Sequence, residues 1–525
     1  MLRLPRRLYS TAAAAPAPKR TIAQLLRTAR PERIADVSVT GWVRSTRKSK
    51  TEQFVDVTDG SSLQPLQAVL SRALGTDVRV GSAVRLAGDW VPCEVQDVQT
   101  HELKTSSLEI IGTSDPKTYP IQKKYQSLEY LRSIPHLRSR IPLNAALLRL
   151  RSDAIAAMTS FFNSQNFVQT QPPIITSSDC EGAGEVFTVM SGSPEEQLRP
   201  KKKPSDHFFR GPKYLTVSSQ LHLEALAQSV GDVWTLSPTF RAEHSDTSRH
   251  MSEFYMLEAE LMFADDMGTV MHLLEQLLRA TVSALAQRPA APDLRKAVAS
   301  LRESEPELAS EADLAQRWAG IGASSPPWPR ITYTEAVELL QAAQETHGAD
   351  YFETPAPAWG EGLASEHEKW LAVQVSERAA PGWRTPVFVT HYPRHIKAFY
   401  MMPSVAPADV KPTTAVAADA AQHAETVDCF DLLVADVCEI SGGSMREYRL
   451  DPLLETMAHR GMALPQGPGG RSTTGLDWYV DLRRWGSAPH GGFGLGFDRV
   501  LSYLSGIPNV KDVVAFPRWY GRSDC

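Results

Sequence analysis

The sequence is poor in cysteine, and its few cysteines follow neither metal-binding nor redox spacing. Five occur in 525 residues: Cys93, Cys180, Cys429, Cys438 and Cys525. No CxxC pair and no Cys/His cluster at metal-ligand spacing is present. This pattern argues against a disulfide framework and against a structural zinc site. It predicts reduced thiols in a reducing compartment.

Long apolar runs and a strong excess of one charge are also missing. No run of 18 apolar residues occurs, so the sequence predicts no membrane-spanning helix. The 55 Lys and Arg residues against 60 Asp and Glu leave a net charge of −5, which does not by itself indicate a nucleic-acid partner. A local basic surface can still bind phosphates, because salt makes that attraction short-ranged. The length and the 42% hydrophobic content are typical of a globular protein of two or three domains.

The N-terminal leader lacks acidic residues altogether. Residues 1–30 carry seven Lys and Arg among Ala, Ser and Thr, and the first acid is Glu32. An Arg-rich, acid-free leader is typical of organelle transit peptides. We interpret 1–30 as a mitochondrial targeting segment, with a disordered basic tail as the alternative.

Residues 31–113 contain short alternating segments separated by turn residues such as Asp59-Gly60. Regular short strands at this spacing predict a small β-barrel. The segment STRKSKTEQF sets basic residues beside Phe54, and single-stranded nucleic acid needs both phosphate neutralisation and a stacking face. The alternative is a solvated charged hairpin with Phe54 in the core.

A Pro-rich, charged segment at 114–142 indicates a hinge before a second domain at 143–525. That domain begins with a helical pattern near 145–163, followed by a strand-like VQTQPPIIT. Its Pro172-Pro173 cannot donate ladder hydrogen bonds, which favours an edge or an interface. The composition further indicates a helical insertion or connector at 266–330 and a low-complexity loop at 404–426.

An unusual concentration of charge lies in FRAEHSDTSRHMSEFYMLEAE, residues 240–260. The pattern predicts two strands joined by a polar loop that could close over a polyanion. Arg241 offers a bidentate fork for phosphate or carboxylate, and Glu243 can accept from an amine.

Two further stretches carry candidate chemistry. GGFGLGFDRVLSYLSG, at 491–506, is a glycine-rich strand running into a helix, which lets a ligand approach the backbone closely. It matches neither the P-loop nor the dinucleotide-binding pattern. CFDLLVADVCEISGGSMRE, at 429–447, places Asp431 and Glu439 at a strand end, where acids can hold Mg²⁺ against phosphates.

Taken together and in this order, these stretches resemble the three signature motifs of the class II aminoacyl-tRNA synthetases, in the subgroup that activates aspartate, asparagine and lysine. The helix and the PPIIT strand resemble motif 1, FRAE…RHMSEF motif 2, and GFGLGFDR motif 3. The resemblance implies an α+β protein: an N-terminal OB-fold barrel that binds the anticodon, and a catalytic domain built on an antiparallel sheet flanked by helices. It also implies a homodimer that contacts its partner through motif 1.

The resemblance implies a two-step reaction, adenylate formation from ATP and then transfer to tRNA. It makes Arg241, Arg499 and Glu439 the catalytic residues. It assigns ATP binding to Arg241, Glu243, Arg249, His250, Phe254, Glu439 and Arg499, and Mg²⁺ to Asp431 and Glu439. It assigns anticodon contacts to Arg44, Phe54 and Gln67.

Several strings, among them SDCEGAGEVF and EISGGSMRE, are similar to the asparagine-specific members of the subgroup. The aspartate-specific members carry a substrate-pairing lysine where this sequence has Leu223. Aspartate and asparagine are nearly isosteric, so charge must separate them, and a buried carboxylate without a second cation is uncompensated. The amino-acid-binding residues that the resemblance implies are Glu181 and Gln220 for the α-ammonium group, Arg446 for the side-chain oxygen, and Leu223. No acceptor for the amide NH₂ is identifiable from the sequence.

The resemblance therefore implies an enzyme that charges tRNA(Asn) with asparagine in organellar translation. Three alternatives remain. One is the same chemistry with aspartate, which Leu223 disfavours. Another is a non-catalytic RNA-binding paralogue, and the third is a tRNA-independent asparagine synthetase, which would not be expected to keep the barrel.

Overall fold

The computed structural model divides the chain into two compact units, residues 1–126 and 127–525. It describes residues 20–27, 33–93, 99–122, 124–177, 185–193, 195, 203, 207–404, 425–462 and 475–525. Most of the predicted leader, most of the predicted loop at 404–426, Glu181 and Cys180 lie outside these ranges. Residues 127–142, part of the predicted hinge, belong to the second unit.

The first unit is a closed five-stranded barrel, which confirms the predicted fold of this region. Its elements are α1 (Ile22–Arg27), β1 (Ile34–Lys48), β2 (Glu52–Thr58), β3 (Leu66–Ser71), β4 (Ala83–Pro92) and β5 (His101–Gly112). The strands close in the order β1-β2-β3-β5-β4. Alternate residues of each strand fill the interior, as Val55 and Val57 do in β2. Phe54 has the opposite parity and is half-buried at the outer surface, so it is not a core residue.

The second unit is built on an eight-stranded sheet in the order β11-β12-β13-β14-β15-β10-β9-β6. All neighbours are antiparallel except β11/β12 and β6/β9. The strands are β6 (Val168–Gln169), β9 (Val233–Phe240), β10 (Glu253–Met262), β11 (Arg330–Thr332), β12 (Val387–Thr390), β13 (Cys429–Val434), β14 (Cys438–Met445) and β15 (His490–Gly496). A separate two-stranded sheet joins β7 (Ile175–Thr176) to β8 (Tyr214–Leu215).

Helices surround this sheet, which confirms the predicted α+β class. They are α2 (Leu128–Arg132), α3 (Pro135–Arg138), α4 (Pro142–Ser164), α5 (Gln220–Val230), α6 (Met267–Ala286), α7 (Ala290–Leu301), α8 (Glu311–Ile321), α9 (Tyr333–His347), α10 (Ser365–Ala379), α11 (Leu450–His459), α12 (Asp477–Asp481) and α13 (Phe497–Ser505). Short 3₁₀ turns lie at Arg394–Ile396 and Val510–Asp512. Across the described helices, none has the length and apolarity that crossing a membrane requires.

The prediction of one continuous strand in VQTQPPIIT is wrong, but the predicted edge position is confirmed, because β6 is the last strand of the eight-stranded sheet. The segment contains two separate short strands, β6 and β7, which pair with different partners. Pro172 and Pro173 fall in the gap between them, because proline offers no N–H to a strand ladder. The predicted helix before it is confirmed as α4.

The central strands position the candidate site. The hairpin of β9 and β10 holds the polar loop of residues 241–252, and β15 lies between β10 and β14. Glycine dominates β15 for a steric reason: a Cβ at Gly492 would overlap the carboxylate of Glu260 and the carbonyl oxygen of Ala259 on β10. The sheet therefore brings polar side chains of β10 and β14 together across a strand in which four of the seven residues are glycine.

Candidate functional site

Two adjoining cavities open on the face of the sheet formed by β10, β14 and β15. The larger has a volume of about 430 Å³ and the smaller about 100 Å³. Both are lined by Arg241, Met256, Glu439 and Gly494. A ligand filling both cavities would therefore pass beside Arg241, which is only partly buried.

The smaller cavity brings together all seven residues that the sequence predicts to bind ATP. Its lining includes Arg241, Glu243, Arg249, His250, Phe254, Glu439 and Arg499. The Arg241 guanidinium lies 5.7 Å from the centre of the Phe254 ring. Its Nη1 is 3.7 Å from Glu243 Oε1. This places a cation, an aromatic face and a carboxylate acceptor side by side, as an adenine nucleotide requires.

His250 contacts Glu243 and Thr247 within the polar loop. Its Nε2 lies 3.3 Å from Glu243 Oε2, and its Nδ1 lies 2.6 Å from the hydroxyl of Thr247. Burial lowers the pKa of His250, and the nearby arginines add to this effect while Glu243 opposes it. A neutral imidazole is therefore favoured here at physiological pH.

Carboxylates converge where the two cavities meet. Asp431 on β13 pairs with Gly442 on β14. A β-bulge between Leu432 and Leu433 shifts the register, so that Glu439 pairs with Leu433. A Cβ at Gly442 would lie 3.3 Å from both Asp431 Oδ1 and Glu439 Oε1. The two predicted metal ligands thus meet above a glycine, and their oxygen donors are the type that Mg²⁺ prefers.

A third acid, Glu368 of α10, was not identified from the sequence. Burial raises its pKa to about 7, and neighbouring Glu439 adds to the effect. Burial also raises the pKa of Asp431. For Glu439 burial acts in the same direction, but Arg499 and Lys397 outweigh it and hold the pKa below its usual value. Glu368 and Asp431 thus resist ionisation because they are buried near other acids, and a divalent cation would stabilise their charged forms.

Each of the three acids has a basic partner. Lys397 Nζ lies 2.7 Å from Asp431 Oδ2, and Arg249 Nη1 lies 3.2 Å from Glu368 Oε2. Arg499 Nη1 is 3.5 Å from Glu439 Oε2 and donates to its backbone carbonyl at 2.8 Å.

The larger cavity ends at a buried ion pair. Arg446 donates from Nε and Nη2 to the two oxygens of Glu260, at 3.1 and 3.0 Å, and from Nη1 to Ser444 Oγ at 2.6 Å. Both charged side chains are almost completely buried. Burial alone would lower the pKa of Arg446, but Glu260 outweighs it and raises that pKa. The cavity therefore ends in a fixed donor fork beside a carboxylate acceptor.

Glu224 forms the layer behind this pair and does not line the cavity. Its carboxylate accepts from Arg483 at 2.6 Å, from Tyr479 at 2.8 Å and from Gln220 Nε2 at 3.1 Å. His490 Nε2 lies 3.1 Å from it. Although burial opposes ionisation, Arg483 and His490 outweigh it and hold the pKa of Glu224 well below its usual range.

Ligand-type atoms of Glu224, Glu260 and His490 all lie within 4.8 Å of one another, the spacing of a metal site. The guanidinium groups of Arg446 and Arg483 already pair with the two carboxylates. We therefore interpret this cluster as an ion-pair network, since buried charges need partners and these have them.

Among the other predicted amino-acid-binding residues, Gln220 and Leu223 both line the larger cavity. Leu223 is buried and packs with Ala227 and Val233. It places a hydrocarbon surface, and no cation, where the aspartate-specific members of the subgroup carry the substrate-pairing lysine. Glu181 lies outside the described residues.

The barrel carries a separate polar row on its outer surface. The Arg47 guanidinium lies 5.5 Å from the centre of the Phe54 ring, and its Nη2 donates to Gln67 Oε1 at 3.0 Å. Gln67 Nε2 in turn donates to Glu102 Oε2 at 3.3 Å. Phe54 and Gln67 thus share one surface. Arg44 instead directs Nη1 toward the Leu63 carbonyl at 3.5 Å.

Sequence reasoning missed Glu224, Glu368, Lys397, Arg483 and His490. Glu224, Lys397, Arg483 and His490 stand in strings that resemble the asparagine-specific members, but nothing in those strings indicates a role for them. Glu260 was noticed as a charged residue in an apolar run, but its partner is 186 positions away.

Comparisons with known proteins agree with this geometry. The family model of the class II tRNA synthetases (D, K and N) matches residues 127–520. A mitochondrial asparagine–tRNA ligase of Schizosaccharomyces pombe is 38% identical over 491 residues, covering 92% of this chain and 94% of that protein. A human asparaginyl-tRNA synthetase is 39% identical over 489 residues, covering 92% and 90%.

The fold is also similar to a solved structure. Asparaginyl-tRNA synthetase from Pyrococcus horikoshii, complexed with asparaginyl-adenylate, aligns with a TM-score of 0.75 at 26% identity and covers 96% of this chain and 99% of that one. Relatives named for asparagine rather than aspartate do not favour the aspartate alternative. Family model, relatives and fold agree over most of the sequence, and the chain belongs to the class II tRNA synthetases of the D, K and N group, among the asparagine–tRNA ligases.

Proposed function

We propose that this chain joins asparagine to tRNA(Asn) at the expense of ATP. The observation that carries the proposal is the pair of cavities joined at Arg241: one is lined by all seven predicted nucleotide residues and the other ends at the Arg446–Glu260 pair. The same observation disfavours a non-catalytic RNA-binding paralogue, which would have no reason to keep a nucleotide cavity.

In the first step, a carboxylate oxygen of asparagine attacks the α-phosphorus of ATP. The new P–O bond forms as the bond to the β-phosphate oxygen breaks, giving asparaginyl-adenylate and pyrophosphate. No protein nucleophile is needed, so the site acts by aligning the reactants and stabilising charge. Arg241 stands between the two cavities and bridges the carboxylate and the α-phosphate.

The nucleotide is held by the smaller cavity. Phe254 stacks on the adenine and Glu243 accepts from its amino group. Arg249, His250 and Arg499 hold the outer phosphates. For Arg249 and Arg499 this means exchanging a carboxylate partner for a phosphate, since both are ion-paired to acids without nucleotide.

Asp431 and Glu439 would hold Mg²⁺, and their convergence above Gly442 fits that role. When bound, the metal neutralises charge on the phosphate oxygens.

The larger cavity selects asparagine. Arg446 donates to the amide oxygen, and Glu260, which Arg446 holds in place through both carboxylate oxygens, accepts from the amide NH₂. Gln220 and Glu181 receive the α-ammonium group. Because Arg446 and Glu260 already neutralise each other, an aspartate carboxylate would bring an uncompensated charge into a buried site.

In the second step, the terminal ribose hydroxyl of the tRNA attacks the adenylate carbonyl and AMP leaves. For anticodon recognition, Phe54 stacks on an unstacked base and Gln67 reads a base edge, as single-stranded RNA recognition requires. Arg44 remains a candidate backbone contact. The row on the barrel adds Arg47 and Glu102 to these candidates.

We also propose a homodimer and a mitochondrial location. Large apolar side chains around the motif 1 segment stay exposed in the single chain, including Leu148, Val168, Ile174 and Ile175, and a second subunit would cover them. The location is supported by the composition of residues 1–30 and by a relative that is named mitochondrial.

Aminoacylation tests this function directly. The purified chain is incubated with ATP, Mg²⁺ and tRNA(Asn) or tRNA(Asp) transcripts, with asparagine or aspartate. Charging of tRNA(Asn) with asparagine alone is expected. Charging of tRNA(Asp) with aspartate would overturn the proposed specificity.

A further inference from the structure

The acids and bases around the proposed metal site are matched one to one. Asp431 pairs with Lys397, Glu439 with Arg499 and Glu368 with Arg249. Two of these bases, Arg499 and Arg249, line the nucleotide cavity, where phosphates would compete for them with their acid partners. Lys397 is different, because it lines the larger cavity and is not among the residues lining the nucleotide side.

Lys397 is held in place from two sides. Its ammonium group lies 2.7 Å from Asp431 Oδ2 and 3.9 Å from the centre of the Tyr392 ring. Tyr392 is buried, and the Lys397 side chain keeps only 19% of its surface exposed. At this separation and burial, the attraction between the ammonium and the carboxylate is much stronger than in water. The ammonium thus occupies a coordination position of a predicted metal ligand.

Glu368 of α10 is a third acid near this pair, and its side chain is 15% exposed. Burial raises its pKa, and the charges of Glu439 and Asp431 add to that effect. Its ion-pair partner is Arg249, one of the two arginines that the nucleotide would draw away. Once Arg249 turns to a phosphate, the Glu368 carboxylate loses its counter-charge and must take up either a proton or another cation.

We propose that Lys397 is a resident cation that keeps the divalent-metal site closed until nucleotide arrives, and that Glu368 is a further acid that attracts the ion to that site. The inference rests on the proposed ATP and Mg²⁺ site. Without nucleotide, the protein's own three bases neutralise the three acids, and a divalent ion entering alone would add uncompensated positive charge. With nucleotide bound, phosphates take over the arginines and the acids receive the metal.

The test measures Mn²⁺, as a spectroscopic substitute for Mg²⁺, binding to the full chain without nucleotide, by the loss of the free-ion electron paramagnetic resonance signal. Lys397→Met is compared with the wild type and with Lys369→Met. Lys369 is exposed on the same helix as Glu368, and none of the three pairings above involves it. Thermal unfolding of every variant checks that the fold is intact.

Lys397→Met is expected to bind Mn²⁺ about tenfold or more tightly than the wild type without nucleotide, whereas Lys369→Met stays within about twofold. Adding Glu368→Gln to Lys397→Met is expected to reverse most of the gain. Wild-type affinity in a folded Lys397→Met would overturn the role of Lys397. An unchanged affinity on adding Glu368→Gln would overturn the role of Glu368. Failure of the proposed function is detected separately, because it would appear as no asparagine-dependent activity in the wild type.

Discussion

Arg446 and Glu260 form a two-pronged buried ion pair across the glycine strand β15. Arg446 stands just after β14 and Glu260 within β10, and Nε and Nη2 of the arginine reach both carboxylate oxygens, at 3.1 and 3.0 Å. Such a pair fixes both groups in orientation, because the fork geometry allows a single arrangement. Its net charge is zero, which suits a neutral side chain such as asparagine.

Removing the charge of Glu260 is expected to weaken discrimination against aspartate. Glu260→Gln keeps the shape of the side chain but leaves Arg446 as an uncompensated cation in the pocket. We expect the ratio of kcat/KM for asparagine over aspartate, measured by pyrophosphate exchange, to fall about tenfold or more, the equivalent of ~1.4 kcal/mol. Glu338→Gln, at an exposed position of α9, is the matched control. An unchanged ratio in a folded Glu260→Gln would contradict the assignment.

Gly492 is expected to tolerate no side chain. A Cβ there would overlap Glu260 and Ala259 on the neighbouring strand, so Gly492→Ala must displace the ion pair or the strand. We expect a loss of about 3 kcal/mol or more, at the upper end of overpacking costs, visible as a lower thermal unfolding midpoint. Gly362→Ala is the control, because a Cβ at that position meets nothing within 4 Å. Equal midpoints for the two variants would refute the steric account.

The cysteines are expected to differ sharply in reactivity. Burial raises the pKa of Cys429 to about 12 and that of Cys438 to about 11. At pH 8 both remain neutral thiols, and the thiolate is the nucleophile, so alkylation is slow and increases only as pH approaches those values. Iodoacetamide labelling followed by peptide mass spectrometry should modify the exposed Cys525 first. Labelling of Cys438 as fast as Cys525 in the folded chain would show that the thiol is not protected; labelling in urea is the control.

A substitution on the barrel surface is expected to reduce tRNA charging and to leave amino-acid activation unchanged. Phe54→Ala removes the proposed stacking face and should reduce kcat/KM for tRNA in aminoacylation by the equivalent of about 1–3 kcal/mol. Pyrophosphate exchange requires no tRNA and should stay at the wild-type level. Ile111→Ala, at an exposed apolar position of β5, should affect neither reaction. Normal aminoacylation by Phe54→Ala would remove Phe54 from the anticodon surface.

The sequence predicted those parts of the site that lie in short, continuous stretches. The residues of the nucleotide cavity come mostly from one strand–loop–strand unit and one strand–helix unit, so neighbouring letters carry the pattern. Arg446 and Glu260 were both visible, but 186 positions separate them and only the strand order β14-β15-β10 brings them together. Glu368 was invisible because it stands on an ordinary amphipathic helix 119 positions from Arg249. β6 and β7 are separate strands because Pro172 and Pro173 lack an N–H. The prolines were visible in the sequence, but they were expected to place one strand at an edge or interface and not to divide it.

The central claim is that the pocket ending at Arg446 and Glu260 activates asparagine. Amino-acid-dependent ATP–pyrophosphate exchange tests it most directly, with the purified chain and with asparagine, aspartate and lysine supplied separately. Exchange with asparagine alone is the expected result. Exchange with aspartate at a comparable rate would contradict the pocket argument, and no exchange with any of the three would contradict the enzymatic function itself.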